Sequence, residues 1–155
     1  MHTETLNYTD AGTTLKGFLA YDDKKSGKRP GVLVMPEAFG LGKNAKNRAK
    51  MLAELGYVAL GGDPFGDGKE FTDLQEAIKV AGALMADPAK FRARARAGID
   101  KLASLPQVDP NRLACIGYCM AVRSRSNSPA TVRRYAAWCR STADCKHSGP
   151  RNPVR

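Results

Sequence analysis

Two residues of this chain stand where side chains do chemistry: Cys119 and Glu37, each just past a run of apolar residues. Leu113-Ala114-Cys115-Ile116 leads into Gly117-Tyr118-Cys119-Met120-Ala121. A Gly-x-Cys turn after a buried strand lifts a nucleophile clear of the sheet, on a turn too tight for bulky neighbours. A thiolate there would be favoured by the positive end of a helix opening after the turn. Cys115, in mid-strand, reads as packing, since cysteine is among the most buried residue types. Glu37 lies in Pro36-Glu37-Ala38-Phe39-Gly40, directly after the apolar run Gly31-Val32-Leu33-Val34-Met35. In that place a hydrolase builds half an oxyanion hole from backbone N–H groups. Spacing alone makes Glu37 a solvated loop carboxylate.

Other polar groups have blander readings. Asp63, in Asp63-Pro64-Phe65-Gly66-Asp67-Gly68, is expected to hold its own turn. Arg92, Arg94 and Arg96 are expected on solvated helix faces, the alternative being that one of them meets an anionic substrate. Asp144 and His147 would complete a triad with Cys119, but no strand carries them. Cys139, Cys145 and His147 match no standard zinc spacing and lack a fourth ligand. Arg133, Arg134, Tyr135, Trp138 and Arg140 have the basic and aromatic composition of a nucleic-acid contact, which chance composition explains as well.

The elements that must position these residues follow from the pattern. Thr5 to Tyr8 and Leu15 to Tyr21 read as strands around a turn at Asp10-Ala11-Gly12. Gly31 to Met35 and Tyr57 to Leu60 are short continuous apolar runs, the mark of strands buried on both faces. Between them a helix from Ala45 carries Ala49, Leu52 and Leu55 on one face and stops at Gly56. Leu74 to Met85 forms a second helix. A third starts at Asp87-Pro88, turns Phe91, Ala95, Ile99 and Leu102 inward and ends at Pro106. Asp109-Pro110-Asn111-Arg112 then turns the chain into the strand before Cys119. Strand and helix alternate as in a parallel sheet with crossover helices, an α/β fold. After Ala121 neither period persists, and the apolar cluster Tyr135 to Trp138 suggests only a short helix over Val132 to Cys139.

The chain has 155 residues and a net charge of +10, and the charge is unevenly spread. Met1 to Met120 holds 17 Lys and Arg against 14 Asp and Glu, whereas Ala121 to Arg155 holds 8 against 1. The basicity is mainly a property of the tail. No apolar run is long enough to span a membrane. The start, Met1-His2-Thr3-Glu4-Thr5, lacks the features of a signal peptide, so a cytoplasmic location is the default. Four cysteines are too few for a disulfide framework, and reduced thiols are expected.

In combination, Arg29-Pro30-Gly31-Val32-Leu33-Val34, Pro36-Glu37-Ala38-Phe39-Gly40, Leu52-Ala53-Glu54-Leu55-Gly56-Tyr57-Val58-Ala59-Leu60, Val108-Asp109-Pro110-Asn111-Arg112 and Gly117-Tyr118-Cys119-Met120 resemble the dienelactone hydrolase family of α/β-hydrolases. The resemblance runs in the family's order over about Thr5 to Met120. It implies Cys119 as nucleophile, Glu37 as the carboxylate that activates the thiol, and the backbone N–H groups of Met120 and Ala38 as the oxyanion hole. It implies hydrolysis of a small ester or lactone through a thioester, anionic dienelactones being the family's namesake, with no cofactor and no metal.

Three departures accompany the resemblance. Ala121 replaces the closing glycine of the elbow, polar sequence with Pro129 replaces the following helix, and the family's later Asp and His have no counterpart. Deleting one nucleotide from codons for Met-Gly-Gly can give Met-Ala-Val, as read at Met120-Ala121-Val122. The expectation is therefore a partial α/β-hydrolase domain over 1–120 and an irregular basic tail over 121–155, read out of frame. Hydrolysis should then be impaired, and the fold weakly stable. The alternative is a non-enzymatic remnant whose tail binds nucleic acid non-specifically, with salt-sensitive affinity.

Overall fold

The computed structural model describes residues 1–118 and the strand at 135–139. The described elements are β1 (His2–Asp10), β2 (Thr13–Tyr21), β3 (Arg29–Met35), α1 (Lys43–Glu54), β4 (Val58–Gly61), α2 (Leu74–Met85), α3 (Pro88–Ala103), β5 (Val108–Gly117) and β6 (Tyr135–Cys139). The strands form one mixed sheet in the order β1-β2-β4-β3-β5-β6. β3 is parallel to both β4 and β5, and the outer pairings are antiparallel. The expected alternation of parallel strands and crossover helices is present at the centre of this sheet.

Each element has a local cause. The hairpin closes through Ala11 and Gly12, both left-handed at φ 45° and 80°, which matches the twist of the flanking strands. α2 begins where the Asp73 side chain accepts from the Glu76 N–H, and α3 where Asp87 accepts from Lys90, with Pro88 in its first turn. α1 ends at Gly56, whose φ of 96° suits glycine and whose N–H returns to the Ala53 carbonyl.

Side-chain alternation along the strands makes two unequal faces. On one, Ala20 and Ala59 meet Ala49 and Ala53 of α1, an all-alanine contact that lets the helix lie close to the sheet. On the other, Leu19, Leu33, Met35, Val58, Leu60 and Leu113 surround Leu102 of α3. Gly98 lets α3 approach here, since a Cβ on it would stand 3.0 Å from a Leu33 methyl. Phe91, Ala95 and Ile99 pack against this core as their spacing predicts.

Three expectations are corrected. Leu55 does not face inward; it is the C-cap residue of α1 and is 73% exposed, because the helix has already ended. The turn at Asp109–Arg112 lies inside β5 as an irregularity, where pairing steps from Pro30↔Asp109 to Gly31↔Leu113. There the Asp109 carboxylate accepts the Asn111 N–H at 3.0 Å. Tyr135–Cys139 is a strand, not a helix, and pairs antiparallel with β5 from Leu113↔Cys139 to Gly117↔Tyr135. An exposed strand edge offers unpaired N–H and C=O groups, and such pairing outweighs weak helical propensity.

Leu33 is fully buried under α3. Leu33→Ala should cost about 2–5 kcal/mol of stability, read as a lower urea midpoint with little change in slope. A midpoint within error of the parent would contradict this packing.

Candidate active site at the carboxyl end of the parallel strands

Residues at the carboxyl ends of β3 and β5 are brought together by register. Met35 pairs with Gly117, and the Tyr118 N–H donates to the Met35 carbonyl at 3.3 Å. Ligands of open α/β sheets bind outside these strand ends. Glu37 stands two residues beyond Met35, and Tyr118 is the last described residue before Cys119. Arg48 of α1 lies over the Tyr118 ring at 5.7 Å, tying that end of β5 to the helix.

Glu37 is not merely a solvated loop group. It is half-buried, and Asn44 Nδ2 in the first turn of α1 donates to both carboxylate oxygens, at 3.0 and 3.1 Å. The positive end of the α1 dipole adds to this restraint. Asn44 was not singled out in the sequence; the only signal was an amide in the first turn of the helix that follows Glu37. The loop carrying Glu37 is itself fixed. The Gly40 N–H returns to the Glu37 carbonyl at 3.1 Å, and Phe71 N–H bonds the Phe39 carbonyl at 3.0 Å. Gly40 has φ 82°, and a Cβ there would lie 2.3 Å from the Lys69 carbonyl oxygen, so only glycine fits. Ala38, at the turn, has its N–H bonded to no acceptor among the described residues.

The loop after β4 is built on Asp63, which is fully buried. One of its oxygens accepts from the Phe65 and Gly66 N–H groups at 3.0 and 2.8 Å, the other from Lys16 and Gly68 at 3.0 and 2.7 Å. The carboxylate thus trades its hydration for four backbone donors, and its role as a turn-holder agrees with the sequence. The Asp63 N–H donates to the Tyr8 hydroxyl at 3.0 Å. Arg94 contradicts its expected place on a solvated face. It is only 6% exposed, and its Nη1 donates to the Pro64 carbonyl. The loop at 63–68 covers that side of α3, so a guanidinium is buried where helical position alone predicts solvent. Arg92 and Arg96 are exposed as expected, and Arg96 pairs with Asp100 at 2.9 Å.

Cys115 packs against the larger core cluster, and burial pushes its thiol up to about 12, so it stays protonated at neutral pH. Cys119 and Met120 lie outside the described residues. So do Arg133, Arg134, Arg140, Asp144, Cys145, His147 and the proposed change of frame, while Tyr135, Trp138 and Cys139 are described only as positions in β6. Of the four site residues expected from the sequence, the structure places Glu37 and Ala38 together on one loop. No helix among the described residues is long and apolar enough to cross a membrane.

The pattern of the dienelactone hydrolase family matches residues 15–138. The chain belongs to that family. Among solved structures, the one titled m3DLH is 45% identical, with a TM-score of 0.73 over 76% of this chain and 49% of its own. A dienelactone hydrolase-like promiscuous phosphotriesterase from metagenomic libraries is 42% identical, with the same TM-score and coverage. A curated relative from Bradyrhizobium, a 2-oxo-3-(5-oxofuran-2-ylidene)propanoate lactonase by name, is 33% identical over 77% of this chain and 50% of its own length. Another, from Methylorubrum extorquens and bearing a carboxymethylenebutenolidase name, is 27% identical over 84% of this chain and 47% of its own. The chain spans about half the length of the curated relatives it matches. The mixed sheet with its covering helices is the α/β-hydrolase fold of these family neighbours.

The Tyr8 phenol is pushed up from 10.0 to about 12, chiefly by burial. A raised folded value means that its contribution is complete below pH 10 and is lost as pH climbs toward about 12. Thermal midpoints should therefore fall through that window. Tyr8→Phe should be less stable at pH 7 by about 1–3 kcal/mol, with the Asp63 N–H unpaired, yet decline less steeply above pH 10. Parallel declines for the two proteins would contradict this assignment.

Proposed function

We propose that this chain carries the acylation half of a thiol ester hydrolase, with Cys119 as nucleophile and Glu37 as its proton acceptor. The single observation that carries the reading is the Met35↔Gly117 register, with Tyr118 N–H on the Met35 carbonyl. It brings the chain segments leading to Glu37 and Cys119 to one end of the sheet. Glu37 takes the thiol proton as the bond from Sγ to the carbonyl carbon forms. Collapse of the intermediate breaks the carbon–oxygen bond, and the leaving oxygen receives that proton. The N–H groups of Ala38 and Met120 would hold the oxyanion. Water then adds to the thioester, releases the acid and returns a proton to sulfur.

The substrate in this reading is a small ester or lactone, supported by the lactonase and carboxymethylenebutenolidase names of the relatives. An anionic substituent is compatible with Lys46 and Arg48 on α1, near this end of the sheet, although Lys46 is paired with Glu70. The phosphotriesterase in another relative's name makes a phosphotriester the second electrophile to assay. Among the described residues the one histidine is His2 of β1, beside Glu4, so in this reading no described imidazole serves water as a general base and the thioester is expected to persist.

With p-nitrophenyl acetate, the expected outcome is one acetyl group per chain on Cys119, found by mass spectrometry, followed by slow turnover. Cys119→Ala should abolish the burst. Glu37→Gln should slow it by about 10²–10⁴-fold. A burst undiminished in Cys119→Ala would overturn the proposal.

A further inference from the structure

At the opposite end of β3 lies a groove of about 370 Å³ whose lining is basic and belongs to no part of the site above. Tyr21, Lys25, Lys28, Arg29 and Gln107 contribute to it. Arg29 begins β3 and Glu37 follows its end, so at ~3.3 Å per residue the strand holds the two places about 20 Å apart.

Arg29 is the centre of this groove. It is only 8% exposed, with its guanidinium 5.4 Å from the centre of the Tyr21 ring. Nη1 donates to the Asp22 carbonyl at 2.7 Å, while the buried Nε has no acceptor among the described residues. A single neutral carbonyl leaves a buried cation largely uncompensated, and such a group is costly unless a counter-charge meets it. The neighbours add charge instead of removing it. Lys28 makes no ion pair among the described residues, and Lys25 reaches Asp22 Oδ2 only at 3.9 Å. The Gln107 main-chain carbonyl is engaged by the Arg29 N–H at 3.0 Å, which holds its residue at the rim. Three cations therefore line the groove, the Lys25 ammonium lying between Asp22 and Gly56 at the end of α1, and a planar fork with one arm engaged stands at its wall.

We infer that this groove binds an oxyanion, a phosphate or carboxylate group, with Arg29 as the fixed donor and Lys28 as the mobile counter-charge. The guanidinium supplies geometry matched to two oxygens, and the ammonium adds charge without fixed direction. The site is independent of the catalytic reading, because none of its residues lies at the Glu37 end.

The test is a titration of the whole chain with sodium phosphate, and separately sodium acetate, each against sodium chloride at matched ionic strength. Backbone amide shifts of Gly27, Lys28, Arg29 and Gln107 report binding. Saturable shifts with phosphate or acetate but not chloride are expected, and the stronger of the two names the preferred group. Lys28→Ala, on an exposed loop, should weaken binding about tenfold with an unchanged far-ultraviolet spectrum. Arg29→Lys should weaken it as much while keeping the charge. Shifts that match those in chloride, no shifts at all, or affinity unaltered in both variants would overturn the inference.

Discussion

The structure depends most on the pairing of β3 with β5. These strands come from parts of the chain some eighty residues apart, and only a parallel pairing can bring their carboxyl ends to the same edge. Parallel strands need crossovers, and the crossovers dictate the remainder: α1 returns the chain to β4, while α2 and α3 return it to β5. The two faces are then buried by different means. Alanines bring α1 close, and Gly98 with Leu102 brings α3 down on Leu33. A slip of one residue in this pairing would exchange the faces and separate the loop of Glu37 from the end of β5.

Around that pairing the loops are fixed by buried polar groups together with the edge contact of Phe65 and Phe71. Asp63 gathers four backbone donors, Tyr8 receives a fifth from Asp63 itself, and Arg94 supports the Pro64 carbonyl from beneath. Each of these groups is costly to bury alone and tolerable only within the set. Glu37 is restrained more lightly, by a single amide near solvent. That contrast suits a scaffold carboxylate in one case and the proposed proton acceptor, which must change partners, in the other.

Much of this was legible from local signals. Asp87-Pro88, Gly56 and the turn at Ala11-Gly12 act within a few residues of themselves, and so did what was read from them. Continuous apolar runs identified β3 and β4 because strands covered on both faces cannot alternate. Some misreadings came from contacts made across the fold. Arg94 looked solvated because nothing near it in sequence shows that the loop at 63–68 will cover it. Two others were local: Asn44 was passed over because spacing alone does not show the loop of Glu37 folding back onto the start of α1, and Leu55 because a helical stripe was extended past its cap. Tyr135–Cys139 was read as a short helix from its apolar cluster alone, whereas the edge of β5 decided its pairing.

The claim that Glu37 and Cys119 act as a pair can be tested without substrate. The measurement is the rate of iodoacetamide alkylation of the Cys119 peptide against pH, followed by mass spectrometry, in the parent chain and in Glu37→Gln. A carboxylate within reach of the sulfur alters how readily the thiolate forms, so the two profiles should be displaced from one another along the pH axis. Superimposable profiles would mean that Glu37 does not reach Cys119, and the proposed pair would be wrong.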